Sequence, residues 1–231
     1  MIMAKTLKDY EYYRTDLGVL YCGDCLEIMQ LITEPVELVL TDPPYGLTWK
    51  STNLFNNKSI GVVCTELQDT QKWDIKPCKE IFDLLKLKSK EQIIWGGNFF
   101  CDFLGSFKSP IIWDKQTGNN NYADGEMAWT SFKTGTLRIL HHQWCGAFKD
   151  SERGTKNVHP TQKPVFVMQY CLNLYSKEND LILDPFFGSG TTGLACEKLN
   201  RRWIGIEILP KYAERAKRRI EIEARQLKLF R

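Results

Sequence analysis

The sequence predicts an α/β fold, a mostly parallel sheet with helices on both faces. Three observations predict it. Short apolar runs recur along the chain, and most are continuous rather than alternating, as strands buried on both faces require. Stretches of helical period lie between them. Two of the runs end in an acid and then a proline, which cannot donate to a sheet ladder: "TDPPYG" at Thr41–Gly46 and "LDPFFGSG" at Leu183–Gly190.

Taken in order, "GVLYC" (18–22) reads as the first strand and "CLEIMQLI" (25–32) as the helix behind it. "VELVL" (36–40) is a strand that must stop at Pro43–Pro44. "PCKEIFDLLKL" (77–87) is a helix that precedes the strand "QIIWG" (92–96), and "PIIWD" (110–114) is the next strand. "PVFVMQYCLNLY" (164–175) is a helix leading to the strand "LILD" (181–184). "GTTGLACEKLN" (190–200) is a helix with Asn200 as a left-handed stop, and it leads to the strand "WIGIE" (203–207). The last helix runs from Pro210, a first-turn proline, to about Leu229. Two segments resist this pattern. Residues 46–75 are polar, and residues 115–158 are irregular apart from a strand at "EMAWTSF". Long irregular segments in a compact domain are usually functional loops.

The whole chain sets bounds. Its 231 residues are enough for one sizeable core, so a single domain, 1–231, is expected. No run of eighteen apolar residues is present, so no membrane span or membrane partner is expected. The N-terminus "MIMAKTLKDYEYY" does not read as a secretory signal. Eight scattered cysteines then read as reduced thiols of a cytoplasmic protein. A net charge of +3 permits a nucleic-acid partner without arguing for one.

"LILDPFFGSGTTG" is a strand, an acid and a glycine-rich turn into a helix. α/β proteins hold nucleotide-like ligands at the carboxyl edge of the sheet in this way. Gly188 and Gly190 let the backbone approach a ligand, and the helix beginning near Thr191 offers free N–H groups. It is not a phosphate-binding loop of the Walker type, because no lysine follows the glycines. "GSGTTG" does match G-x-G-x-x-G, and Glu207 ends the next strand where a ribose diol is bound. Asp184, however, stands where it would repel a pyrophosphate and attract an amine. A ligand with a ribose, an amine and no pyrophosphate fits better, and S-adenosylmethionine is such a ligand. A structural glycine turn with a capping acid is the bland alternative.

"DPPY" and "DPFFGSGTT" together resemble the amino-methyltransferases of DNA. "YCGDCLEIM" (21–29), "IIWGGNFF" (93–100), "IIWDK" (111–115), "GEMAW" (125–129) and "HPTQKP" (159–164) follow the order of that family's β group, adenine-N6 and cytosine-N4 enzymes in which the catalytic tetrapeptide precedes the glycine turn. The resemblance implies the S-adenosylmethionine-dependent methyltransferase (Rossmann-like) fold in circularly permuted motif order. It implies double-stranded DNA as substrate, adenine-N6 as the target because the tetrapeptide begins with Asp, and cytosine-N4 as the alternative. A non-catalytic DNA-binding relative is a further alternative. A bacterial or bacteriophage-infected cytoplasm, a companion restriction endonuclease and a homodimer belong to the same set of expectations. The family places target recognition where this chain has a short insertion, about 116–158.

An exocyclic amine conjugated to a base is a poor nucleophile. Asp42 and the Pro43 carbonyl, held by Pro43 and Pro44, can accept both its N–H bonds and expose its lone pair. Tyr45 offers a face to an extruded base. By the resemblance, Asp24 and Cys25 meet the cofactor's adenine and Glu207 its ribose, with Ile208 beside it. Asp42, Asp184, Pro185, Phe186, Gly188, Ser189, Gly190 and Thr191 line the methionine end. Thr161, Gln162 and Lys163 meet the cofactor carboxylate at a helix start. Lys133, Arg138, Lys149, Arg153 and Lys156 suit phosphate contacts. No metal is expected: the spacing of Cys22 and Cys25, with His141, His142 and Cys145, is explained without zinc. The charges of "ERAKRRIEIEARQLKLFR" read as a solvated helix face, and Trp129 and Trp144 as local core.

Overall fold

The computed structural model describes residues 5–47, 74–118, 123–145, 148–152 and 162–229. A nine-stranded sheet forms its centre, in the order β1-β2-β11-β10-β3-β4-β6-β5-β7. The strands are β1 (Glu11–Arg14), β2 (Gly18–Cys22), β3 (Val36–Thr41), β4 (Ser89–Trp95), β5 (Ile111–Asp114), β6 (Gly125–Thr130), β7 (Arg138–His141), β10 (Leu181–Asp184) and β11 (Arg202–Glu207). Trp144–Cys145 (β8) and Phe148–Lys149 (β9) form a separate small hairpin. The helices are α1 (Cys25–Leu31), α2 (Lys79–Lys88), α3 (Cys101–Leu104), α4 (Val165–Tyr175), α5 (Thr191–Leu199) and α6 (Pro210–Leu229).

β2, β11, β10, β3 and β4 run parallel, so their carboxyl ends share one edge. β6 runs against β4 and β5, and β1 closes the far side antiparallel to β2. Alternate residues of the central strands feed two cores. Leu38, Leu40, Ile93, Trp95 and Ile182 face α4, α5 and α6. Val36, Val39, Ile94, Leu181 and Leu183 face α1 and α2. Burial on both faces is why these strands read as continuous apolar runs. Asn200 ends α5 in the left-handed region, at φ 57°.

The described part of 116–158 holds more regular structure than its composition suggests. β6 and β7 lie in it, and both belong to the main sheet. The sequence does not announce β1, β7, β8 or β9. They are two to four residues long and half-exposed or at an edge, too short for a period to register. Trp129 is core, and its indole N–H donates to the Ser106 carbonyl at 3.1 Å. Trp144 is half-buried, packed against the core and facing the cavity at the carboxyl edge.

Candidate active site

That cavity, about 1110 Å³, opens at the carboxyl ends of β2, β11, β10, β3 and β4. That is at the upper end of the range for small-molecule sites. Gly23, Asp42, Gly96, Pro185 and Glu207 mark the five strand ends around it.

Asp42 stands one residue past β3, whose ladder with β4 ends at the pair Thr41–Ile94. Its carboxylate is held from two sides. The Tyr45 hydroxyl donates to Oδ1 at 2.6 Å, and the Lys163 ammonium lies 2.6 Å from Oδ2. Lys163, 4% exposed, also lies 2.8 Å from Glu126 Oε2 and donates to the Tyr45 hydroxyl at 3.4 Å. Lys115 pairs with Glu126 Oε1 at 2.5 Å. Two acids and two lysines thus alternate along the cavity floor. Burial pushes the Asp42 carboxyl up and Lys163 opposes it, with a net upward direction to which Glu126 adds. Burial also pushes Glu126 up, but the two lysines outweigh it and pull it down to about 2. Burial would lower the Lys163 ammonium, yet Asp42 and Glu126 hold it well above its ordinary value.

Tyr45 stacks on Phe99, centroids 4.6 Å apart, and its ring covers Gly96. A Cβ at Gly96 would lie 2.0 Å from the ring, and its φ is +65°, so only glycine fits beneath the tyrosine. Phe99 thus occupies a face of Tyr45, and its own ring lines the cavity.

On the other side, Glu207 is buried at the end of β11. It accepts the N–H groups of Gly188 and Leu209, each at 2.8 Å, and burial pushes its carboxyl up to about 7. Gly188 needs its positive φ of +51° to turn that N–H inward. Asp24 caps α1 by accepting the N–H groups of Leu26 and Glu27. Cys25, Phe186 and Ile208 add apolar wall, and Gln162 and Lys163 line the cavity too. The lining suits a nucleoside: acid acceptors for an amine and a diol beside apolar surface for a ring.

Four expected cofactor residues do not reach it. Asp184 lies behind the wall, where it accepts the hydroxyls of Thr41 at 2.7 Å and Thr192 at 2.6 Å and the Phe186 N–H at 3.1 Å. It clamps β3 to α5, and burial pushes its carboxyl up to about 6. Ser189 and Thr191 turn toward α6, where Arg219 donates to the Ser189 carbonyl and hydroxyl and, at 2.8 Å, to Thr191 Oγ1. Gly190 is glycine for packing, since a Cβ there would come within 3.0 Å of Ala216. Lys163 spends its charge on Asp42 and Glu126. Thr161, Arg153 and Lys156 lie outside the described residues.

Strand direction separates the expected phosphate contacts. Lys149 belongs to the small hairpin, its ammonium 4.2 Å over the Trp144 ring, beside the cavity. Arg138 begins β7, opposite Ile111 at the start of β5, and Lys133 follows the far end of β6. Both are therefore at the sheet edge opposite the cavity.

The sequence reading missed Glu126, Lys115 and Arg219. "GEMAW" was visible as a motif, but its acid becomes a cavity residue only once β6 is seen to run against β4.

The fold and the cavity define an α/β protein with a large, acid-lined chamber at the carboxyl edge of its sheet. A family model described as DNA methylase matches residues 36–218, and the chain belongs to that family, the N6/N4 DNA amino-methyltransferases. It is 28% identical over 179 residues to the Type II methyltransferase M2.LlaDCHI of Lactococcus lactis subsp. cremoris, covering 77% of this chain and 61% of that protein. It is 25% identical to the DNA adenine methyltransferase YhdJ of Escherichia coli K12, covering 87% of this chain and 81% of that one. Its fold matches a solved M1.HpyAVI–SAM complex with a TM-score of 0.59 at 24% identity, over 88% of this chain and 99% of the other. This chain thus spans about three fifths of the length of M2.LlaDCHI.

Proposed function

We propose that the protein is a DNA methyltransferase that uses S-adenosylmethionine to methylate the exocyclic N6 of adenine. The observation that carries this reading is the Asp42 carboxylate on the cavity floor, fixed by Tyr45 and Lys163 across from the acid-lined nucleoside wall. Asp24 and Glu207 would hold the adenosine part of the cofactor, with Cys25, Phe186 and Ile208 against its ring. When bound, S-adenosylmethionine supplies a methyl group already activated on a sulfonium.

The chain's own task is to position and expose the amine. Asp42 Oδ1 and Oδ2 each accept one bond already, and each keeps a second lone pair for an amine N–H. Pro43 lies past the last ladder pair, where its carbonyl can take the other N–H. These acceptors are prepaid, since proline fixes the backbone and Tyr45 and Lys163 fix the carboxylate. Phe99 and Tyr45 form the aromatic wall for an extruded base. The adenine assignment rests on the acid that begins the tetrapeptide, and the named adenine relative supports it. Residues 116–158, apart from the sheet strands β6 and β7, would read the target. A bacterial cytoplasm and a companion restriction endonuclease belong to the same reading.

The test is to incubate the protein with S-adenosylmethionine and mixed-sequence DNA and to digest the DNA for mass spectrometry. N6-methyladenine is expected, whereas N4-methylcytosine would overturn the base assignment. Asp42→Ala should lose about 10²–10³-fold in rate, roughly 2.7–4 kcal/mol, with cofactor affinity kept. Near-normal single turnover in that variant would refute the role of Asp42.

A further inference from the structure

Lys163 sits between two acids, yet only Asp42 faces the reacting amine in the reading above. We propose that Glu126 is a positioning residue for Asp42: it shares the buried Lys163 ammonium and so keeps the Asp42 carboxylate an effective acceptor. This inference rests on the proposed amine methylation.

A closed Asp42–Lys163 pair would be neutral. It would cancel much of the field that an amine gaining positive charge needs from Asp42. A second carboxylate on the same ammonium returns the trio Asp42, Lys163 and Glu126 to a net negative charge. The distances fit sharing, at 2.6 Å to Asp42 and 2.8 Å to Glu126. Glu126 Oε2 is buried, and the Lys163 ammonium at 2.8 Å is the charge it faces. Lys115 anchors the other oxygen and fixes the direction of the carboxylate. The Trp95 ring, with Lys163 5.3 Å from its centroid, walls the ammonium on a further side. The position of Glu126 is set by register: Trp95 pairs with Ala128 and Asp114 with Gly125, which brings the start of β6 to the cavity edge. Lys163 and Lys115 hold the Glu126 carboxyl below its ordinary value, which favours its ionised form.

The test is single-turnover methyl transfer by the full chain at saturating S-adenosylmethionine and DNA, with cofactor affinity by calorimetry and a thermal melt alongside. Glu126→Gln should slow transfer about tenfold or more, short of the ~10²–10³-fold expected for losing a direct partner. Its cofactor affinity and melt should hold, and Glu126→Asp should recover part of the rate. An unchanged rate in Glu126→Gln overturns the inference. So does a rate loss matched by an equal loss of cofactor affinity, or a Glu126→Asp rate no better than that of Glu126→Gln. Should Glu126→Gln give no cooperative melt, Glu126→Asp alone decides, because its shorter arm should slow transfer while melt and affinity hold, and a wild-type rate overturns the idea. Wild-type protein that transfers no methyl group to DNA overturns the underlying reading and this inference with it. Active wild type with an equally active Glu126→Gln overturns the inference alone.

Discussion

Glu207 is an acid kept out of water, and its two backbone N–H partners do not fully replace the solvent it lost. Its carboxyl stands at about 7, above the ordinary 4.5. Between those values the folded chain holds a proton that the unfolded chain has released. Stability from this residue therefore falls as pH rises through that window and levels off above it. The shift bounds the loss at about 3 kcal/mol. Glu207→Gln removes the proton exchange but keeps the shape. Its melting temperature should gain on wild type between about pH 5 and about pH 8. A difference that stays flat across that range would mean Glu207 ionises alike in both states. Asp184 also ends a strand and is also raised, but it lies behind the wall. Both acids were legible in the sequence as strand-end carboxylates. Which one lines the cavity was not, because that depends on the pleat and on which hydroxyls fold against it.

At the scale of elements, α6 does more than cover the sheet. Arg219, 15% exposed, reaches from it to three acceptors on the glycine turn and pairs with Glu152 at 2.7 Å. Burial lowers this guanidinium from its ordinary value, and Glu152 works against that. The helix thereby ties the turn that carries Gly188 to the end of the inserted segment. Arg219→Met should loosen that turn and weaken cofactor binding by roughly tenfold, about 1.5 kcal/mol, the worth of a charge-assisted hydrogen bond. Calorimetry on the folded variant decides it, and an unchanged dissociation constant would leave Arg219 a packing residue only. The bounds of α6 were readable from Pro210 and the charge pattern. The inward arginine was not singled out, although Tyr212, Ala216, Arg219 and Ile220 fall at i, i+4, i+7 and i+8 of one face. Interleaved charges made that face look solvated.

For the whole molecule, the order of the buried parallel strands and their helices was legible because such strands are continuous apolar runs with helices between them. The direction of β6 was not, since an antiparallel strand leaves no local mark, and it decides which edge each charge occupies. Lys133, Arg138 and Lys149 look alike in the sequence, yet of the three only Lys149 stands at the cavity edge. Three residue steps along β7 place Arg138 ~10 Å from His141 at the other end of the strand. That is about one Debye length at 0.1 M salt, and the cavity lies beyond His141. A duplex with a base in the cavity would therefore meet Lys149 and be screened from Lys133 and Arg138. Lys149→Glu should weaken DNA binding and reduce the slope of log affinity against log salt by about 1, as losing one phosphate contact does. The double variant Lys133→Glu with Arg138→Glu should bind DNA with wild-type affinity and slope. Titrations of fluorescent duplex at several salt concentrations separate the cases. A loss in the double variant as large as that in Lys149→Glu would mean that DNA approaches across the opposite edge and that the cavity is not where its bases enter.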